Sequence, residues 1–219
     1  MFDLTAYQIL DRIYYFLFSF ILIPIVIGIS KRKDLSKSDS KILLLLVALL
    51  ILEIFSELLR WNRMRNHFVS FPVTFFLFFF SLQYFFISKL QSLMSKFLLG
   101  LAILTLIFTE VFIAGFNQLN SITKSLSFVS VLVLSVIHLK KLFSNNEMFE
   151  FSRNPSFWYS IAFSIWGSFA FLPSLLERYF IETSINLYYF FDTLRLLGFA
   201  ISCIIFAIGL NKISQKTKF

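Results

Sequence analysis

The sequence LVALLILEIFSELLRW at residues 46–61 decides the fold of this chain and points to its chemistry. The stretch is apolar enough to lie in a membrane, yet it contains Glu53, Glu57 and Arg60. Their i, i+4, i+7 spacing places them within about 60° of one another on one face of a helix. A charged side chain in lipid costs about 2.5–3.5 kcal/mol. This face should therefore point into a bundle of helices and find partners there.

The apolar character continues on both sides of that stretch. A helix needs roughly 20 apolar residues to cross a bilayer core, and a backbone in lipid must satisfy its own hydrogen bonds. The composition agrees, with 58% hydrophobic residues and a mean hydropathy of +0.81. Seven runs approach or exceed this length: 13–29, 42–60, 68–88, 97–116, 124–143, 157–177 and 187–211. The sequence therefore predicts one domain over 1–219, an all-α polytopic membrane protein with seven transmembrane helices.

The basic residues predict the orientation of these helices, because Lys and Arg are retained on the cytoplasmic side. Thirteen of the twenty Lys and Arg residues lie in the turns 30–41, 89–96 and 140–156 and in the tail after residue 211. We therefore expect the amino terminus outside and the carboxyl terminus inside. The formal charge of +8 is then a topology signal. No nucleic-acid partner is expected, because no soluble domain carries a basic face.

Ionisable residues occur at similar depth in two other runs. The fourth run contains Glu110, and the seventh contains Asp192 and Arg195 at i, i+3. At 1.5 Å per residue, Glu57, Glu110 and Arg195 lie about 20–22 Å from the cytoplasmic ends of their helices. The carboxylates outnumber the guanidinium groups, so some carboxyl groups keep a proton or a cationic ligand completes the site. We predict a ligand-binding pocket that opens to the outside, formed by Glu53, Glu57, Arg60, Glu110, Asp192 and Arg195. The simpler interpretation is that these charges only lock helix packing.

The remaining residue types predict no catalytic residue, no cofactor and no metal site. His67 and His138 fall on opposite sides of the predicted membrane, and Cys203 is the one cysteine, so a zinc site is not expected. Ser and Thr are plentiful, but no spacing places a base beside one of them. Prolines inside or near the runs predict bends, and they are Pro24, Pro72 and Pro173.

Three short motifs carry a resemblance to a known group of proteins. They are Phe-Ser-Glu-Leu at 55–58, Asn-His-Phe at 66–68 before an aromatic third run, and Asn-Pro-Ser-Phe-Trp at 154–158. With these motifs the chain resembles small heptahelical bacterial membrane proteins associated with sensor histidine kinases. The resemblance implies a place in the cytoplasmic (inner) membrane of a bacterium and a signalling partner such as a histidine kinase.

Three functions remain open. The first is a sensory or signal-coupling module that binds a small or lipidic ligand in the outer pocket and passes a helix shift to a partner. The second is a small transporter or channel for a cation or proton, although the inner halves of the runs are almost entirely apolar. The third is an intramembrane lipid-modifying enzyme, which needs a hydroxyl or a water beside a carboxylate. Membrane lipid is an expected partner in each case.

Overall fold

A computed structural model describes residues 4–62, 121–145 and 151–216 of this chain. Every regular element in these ranges is helical. The helices are α1 (Leu4–Ser19), α2 (Leu22–Ser30), α3 (Lys37–Trp61), α4 (Ser121–Asn145), a 3-10 helix at Phe151–Arg153, α5 (Pro155–Thr183) and α6 (Ile185–Lys216).

Five helical segments are long and apolar enough to cross a membrane, which confirms five of the predicted spans. The protein is an all-α, integral membrane protein by this criterion. The predicted runs 68–88 and 97–116 lie outside the described residues. The five segments are Ile9–Ser30, Lys37–Leu59, Lys124–Ser144, Pro155–Thr183 and Ile185–Ile213.

The first span is divided into α1 and α2, as the proline in its sequence predicted. Pro24 has no N–H to donate, so it cannot bond the carbonyl of Phe20. The backbone N–H groups of Phe20 and Ile21 instead make shorter-range bonds to the carbonyls of Leu17 and Phe18, at 3.3 and 3.1 Å. The break therefore separates α1 from α2. The side chains of Ile21 and Pro24 at this break are buried. By contrast, α5 continues through Pro173 without an interruption.

Polar caps fix where two of the spans begin. Ser36 and Asp39 bond reciprocally at the start of α3, where the Ser36 hydroxyl accepts from the Asp39 N–H and the Asp39 carboxylate accepts from Ser36. At the start of α5, the Asn154 side chain accepts from the Ser156 N–H at 3.0 Å, and Pro155 occupies the first helical position. These caps end the turns that connect successive spans.

Helices α4, α5 and α6 pack as an antiparallel layer with α5 in the middle. Gly167 of α5 lies against α4, where an added Cβ would be 3.0 Å from the carbonyl oxygen of Phe128. Gly209 of α6 lies against α5, where an added Cβ would be 2.6 Å from Cε1 of Tyr159. Small residues at such points let helix backbones approach closely, which is how helices associate in lipid.

The first two helices lie on the other side of α6 from α4. Phe18 of α1 stacks on Phe199 of α6 with ring centroids 5.6 Å apart. The Lys31 ammonium after α2 donates to the backbone carbonyl and side-chain oxygen of Asn211 at 2.7 and 2.6 Å. These contacts run in the same order along both helices, so α1 and α2 are parallel to α6.

The bundle therefore has two distinct ends. One end, which we name the basic end, contains the turn 31–36, the end of α4, the 3-10 helix and the end of α6. The other end, which we name the polar end, contains the start of α1, the end of α3, the start of α4 and the joint between α5 and α6 at Ser184. Of the segments that the sequence assigned to one side of the membrane, the described parts of 30–41, 140–156 and the end of α6 meet at the basic end, whereas 89–96 lies outside the described residues.

Candidate functional site

Glu53 and Glu57 share a face of α3, and that face points to α1. The Tyr14 hydroxyl donates to Oε1 of Glu53, and the Tyr15 hydroxyl donates to Oε2 of Glu57 at 2.7 Å. Tyr14 and Glu53 are partly buried, whereas the Tyr15–Glu57 bond is exposed. The two carboxylates therefore find partners in a neighbouring helix, as a charged face in a membrane helix must.

Asp192 and Arg195 form an ion pair within α6, one turn apart. The side chains of Asp192 and Arg195 are 18% and 25% exposed, so the pair is mostly enclosed. The Arg195 guanidinium also interacts electrostatically with the carboxylates of Glu177 and Glu53. Of the six residues that the sequence singled out, the structure pairs Asp192 with Arg195, and Glu53 lies within electrostatic range of Arg195.

The other predicted residues are placed differently. Glu57 bonds Tyr15 nearer the rim of the polar end. The backbone of Arg60 belongs to α3, but its side chain lies outside the described residues. Glu110 also lies outside the described residues.

A second ion pair at the polar end connects α4 with α5. Nζ of Lys124 lies 3.0 Å from Oε2 and 3.3 Å from Oε1 of Glu177. The two side chains are only 14% and 7% exposed, so this is an enclosed interhelical pair. Lys124 is the first residue of the run 124–143 and Glu177 is the last residue of the run 157–177, and neither was predicted as a site residue. The sequence does indicate that both residues lie on the same side of the predicted membrane, because Lys124 begins one run, Glu177 ends the next, and the two helices are predicted to be antiparallel.

The tyrosines were also missed as site residues. Tyr14 and Tyr15 stand in the otherwise apolar run 13–29 and bond the carboxylates of Glu53 and Glu57. Tyr188 lines the same cleft as Asp192, Arg195 and Glu177. A phenol is a hydrogen-bond donor on an apolar ring, so it suits a partner for a carboxylate in lipid.

A cleft opens between α5 and α6 beside these charges. Behind its open mouth the cleft has a cavity volume of about 10 Å³, about enough for one water molecule. The rings of Phe180 and Phe191 stack in parallel on one side, with centroids 4.5 Å apart and planes 5° apart. The full lining consists of Pro173, Glu177, Phe180, Tyr188, Phe191, Asp192 and Arg195. An acidic, a basic and an aromatic surface therefore meet in one concave site.

Two buried hydroxyls accompany the Lys124–Glu177 pair. Ser127 lies one turn after Lys124, and Ser174 lies one turn before Glu177, so both stand on the same side of the pair in their antiparallel helices. They are 0% and 1% exposed, and neither hydroxyl has a hydrogen-bond partner among the described residues. Pro173 adds to this polar layer, because it leaves the carbonyl of the residue four before it without its usual donor.

Aromatic rings close off the cluster on the side of the basic end. Phe18 stacks on Phe199, Phe199 lies 5.0 Å from Trp166, and Trp166 lies 6.0 Å from Phe128, all measured between ring centroids. This row crosses α1, α6, α5 and α4; Phe128 and Phe199 stand four residues from Lys124 and Arg195, and Trp166 stands eleven residues from Glu177. The ion pairs Lys124–Glu177 and Asp192–Arg195 therefore lie above the row, and below it the Ser135 and Ser164 hydroxyls bond each other at 2.8 Å.

The chemistry of the site favours recognition of a charged or polar ligand. In the described part of the chain, no three His, Cys, Asp or Glu side chains are grouped as metal ligands would be. The site instead offers carboxylate acceptors, guanidinium and phenol donors, and aromatic faces. In comparisons with known proteins, the chain matches no family model, no curated protein and no solved structure.

Proposed function

We propose that this protein is a sensory or signal-coupling membrane module that binds a small or lipidic ligand in the cleft at the polar end. The observation that carries the proposal is the cleft itself, where Glu177, Asp192, Arg195 and Tyr188 converge between α5 and α6. Concave sites with apolar walls and a few convergent polar groups are where small ligands bind. Ionisable residues inside membrane helices mark functional sites for the same reason that they are costly to bury.

The proposal includes the full topology, with seven helices, the amino terminus outside and the carboxyl terminus inside. Its support is the meeting of the Lys- and Arg-rich turns at the basic end, since such turns are retained in the cytoplasm. Lys31, Lys140, Arg153 and Lys212 belong to segments at that end. With this orientation, the cleft faces the outside of the cytoplasmic membrane of a bacterium.

Helix α6 supplies a route by which ligand binding reaches the cytoplasmic side. It runs without interruption from Ile185 to Lys216. Asp192 and Arg195 stand near its first end, and Asn211, held by Lys31, stands near its second. A shift of α6 at the cleft would therefore move a contact at the basic end, where a partner such as a histidine kinase would dock. A helix that can occupy two positions transmits a local binding event to a distant part of a protein in this way.

Transport is less well supported than sensing. A cation path needs polar groups that continue across the membrane, whereas the row of Phe18, Phe199, Trp166 and Phe128 lies directly beneath the cluster. Below that row, the described helices pack apolar side chains such as Phe163 against Phe206, with ring centroids 5.0 Å apart. This arrangement favours a site that binds a ligand and signals its presence over a path that conducts a cation.

The test is native mass spectrometry of the purified full chain in mild detergent. We expect a specific small-molecule adduct on the wild type that is lost in Arg195→Gln and in Asp192→Asn. The control is Arg178→Gln, which removes an exposed cation at the same end, paired with Glu182 at 2.9 Å. Circular dichroism and gel filtration check that each variant is folded. Loss of the adduct in the control, or an adduct unchanged in both cleft variants, would contradict the proposed site.

A further inference from the structure

The cleft is lined by negatively charged carboxylates and a positively charged guanidinium, and each of these groups can form further hydrogen bonds. Glu177 and Asp192 are carboxylates, and each already contacts one protein cation, Lys124 and Arg195 respectively. A carboxylate offers about four acceptor positions, so each retains room for another donor. A ligand ammonium group therefore has acceptors in the cleft without displacing the native pairs.

Aromatic side chains line the same part of the cleft. Phe180 and Phe191 form its stacked wall, and Tyr188 lies beside them in the lining. The face of an aromatic ring attracts a cation that lies within about 6 Å of its centre. Carboxylates together with aromatic faces are a surface that recognises an alkylammonium group.

Arg195 supplies the complementary surface. A guanidinium has five N–H donors in a planar fork that matches a carboxylate or a phosphate. In the described helices, Arg195 bonds Asp192 through one terminal nitrogen. Toward the other described residues it makes no further ion pair, so its remaining donors can bond an acidic group on a ligand, and Tyr188 lines the same cleft.

The charge balance selects between ligand classes. Two carboxylates and one guanidinium line the cleft, and Lys124 pairs with Glu177 beside it, so these four charges sum to zero. Burying a further unpaired charge in a membrane protein is costly. A simple anion would approach Arg195 but also face Glu177 and Asp192. A simple cation would approach the carboxylates but also face Arg195. A neutral ligand that carries both charges satisfies both surfaces and adds no net charge.

We infer that the cleft between α5 and α6 binds a zwitterion, with an ammonium group toward Glu177, Asp192 and the aromatic wall and an acidic group on Arg195. This inference rests on the proposed function and names the ligand class of that site. Behind its open mouth the cleft has a cavity volume of only about 10 Å³, which has room for a group of the size of one water molecule or one ammonium. The occupant therefore places a small charged group in the cleft and leaves its remainder at the mouth, as a lipid headgroup or a free amino acid can, and these two share this chemistry.

Three matched probes test the inference on the wild-type protein, purified in detergent and freed of lipid. Glycerophosphoethanolamine carries both charges, ethanolamine carries only the ammonium, and glycerophosphoglycerol carries only the phosphodiester. We expect the zwitterion to bind at least tenfold more tightly than either of the others, measured by calorimetry and native mass spectrometry. Equal binding by one singly charged probe would overturn the zwitterion class while leaving the proposed binding function intact.

Variants connect that binding to the cleft. Arg195→Gln should weaken zwitterion binding at least tenfold, and Arg195→Lys should weaken it less, because it keeps the charge and loses the fork. Arg178→Gln should leave it unchanged. If Arg195→Gln does not fold, the Arg195→Lys variant and the three-probe comparison decide the question. Unchanged binding in a folded Arg195 variant would overturn the inference.

A second pair of probes separates the two sources of the headgroup chemistry. Glycine represents a free zwitterion, and phosphatidylethanolamine represents a lipid one, with phosphatidylglycerol as its anionic control in the same detergent. Binding of phosphatidylethanolamine but not glycine would assign a lipid ligand, and the reverse would assign a soluble one. If no zwitterion binds the folded wild type, the inference fails. The proposed function fails with it only if no co-purified adduct depends on Arg195.

Discussion

The polar end and the basic end of this bundle are held together by different contacts. Glycines let helices approach closely along the length of the bundle, as where Gly209 lies on Tyr159 near the basic end and Gly198 lies on Phe169 one turn from Arg195. At the polar end, they are connected by side chains that reach across a gap, as in Tyr14–Glu53 and Lys124–Glu177. Close packing resists rearrangement, whereas long polar side chains can exchange partners. Under the proposed function, exchangeable polar contacts at the polar end would respond to a ligand, and close packing would carry the resulting shift to the basic end.

The largest effect is expected at the enclosed ion pair of the polar end. Glu177→Leu would leave the Lys124 ammonium without its carboxylate and should lower the free energy of unfolding by about 3–5 kcal/mol. The double variant Lys124→Met, Glu177→Leu should recover most of that loss, because no uncompensated charge then remains. Reversible unfolding in mixed detergent micelles, followed by tryptophan fluorescence, measures both. A double variant no more stable than Glu177→Leu would show that the pair does more than neutralise charge.

At the basic end, the matching test is an added methyl group. Gly209→Ala introduces a Cβ whose position is 2.6 Å from Cε1 of Tyr159, so α5 and α6 must separate or the ring must move. Overpacking of this kind costs about 1–3 kcal/mol. The same unfolding measurement applies, and Ile204→Val, which changes an exposed side chain on the same helix, is the control. An unaltered stability in Gly209→Ala would mean that the basic end is not closely packed.

A smaller effect is expected where α1 meets α3. Tyr14→Phe keeps the ring and removes the hydroxyl bond to Glu53, and interhelical hydrogen bonds in membranes contribute about 0.6 kcal/mol on average, up to about 1.7. Tyr15→Phe removes the more exposed bond to Glu57 and should cost less. The two variants differ by one hydroxyl each, so each serves as a control for the other. Equal losses would contradict the difference in burial between the two bonds.

The smallest effect is expected at the exposed Arg178–Glu182 pair near the joint of α5 and α6. Its side chains are 65% and 62% exposed, so solvent screens the interaction. Removing it with Arg178→Gln should change stability by no more than about 0.5 kcal/mol. A loss comparable with that of Glu177→Leu would show that exposure does not separate the two ion pairs, and the comparison between enclosed and exposed charges at the polar end would fail.

Much of the fold followed from residue chemistry alone. Apolar runs of span length predicted five helices that the structure confirms, because a chain in lipid must bond its own backbone. Pro24 predicted the interruption between α1 and α2, since a missing N–H is a local property. The pairing of Asp192 with Arg195 likewise follows from one turn of one helix.

Part of the site could not be predicted in this way. Lys124 and Glu177 stand 53 residues apart along the chain, and no local pattern in the sequence joins them. Tyr14 contacts Glu53 only because α1 and α3 lie side by side at the polar end. The sequence indicated that Glu53 needs a partner, but it did not indicate which residue provides one.

The sequence by itself determined that this chain forms membrane-spanning helices, that the first is interrupted near Pro24, and that Glu53, Asp192 and Arg195 must avoid lipid. These follow from the cost of an unbonded backbone and of a buried charge, which depend on each helix alone. Only the tertiary structure decided that α5 lies between α4 and α6, and that Glu177 meets Lys124 on one side and the cleft on the other. The reason is that lipid tails are as apolar as the helix surfaces, so helix order depends on shape and on interhelical polar contacts, which only the packed bundle specifies.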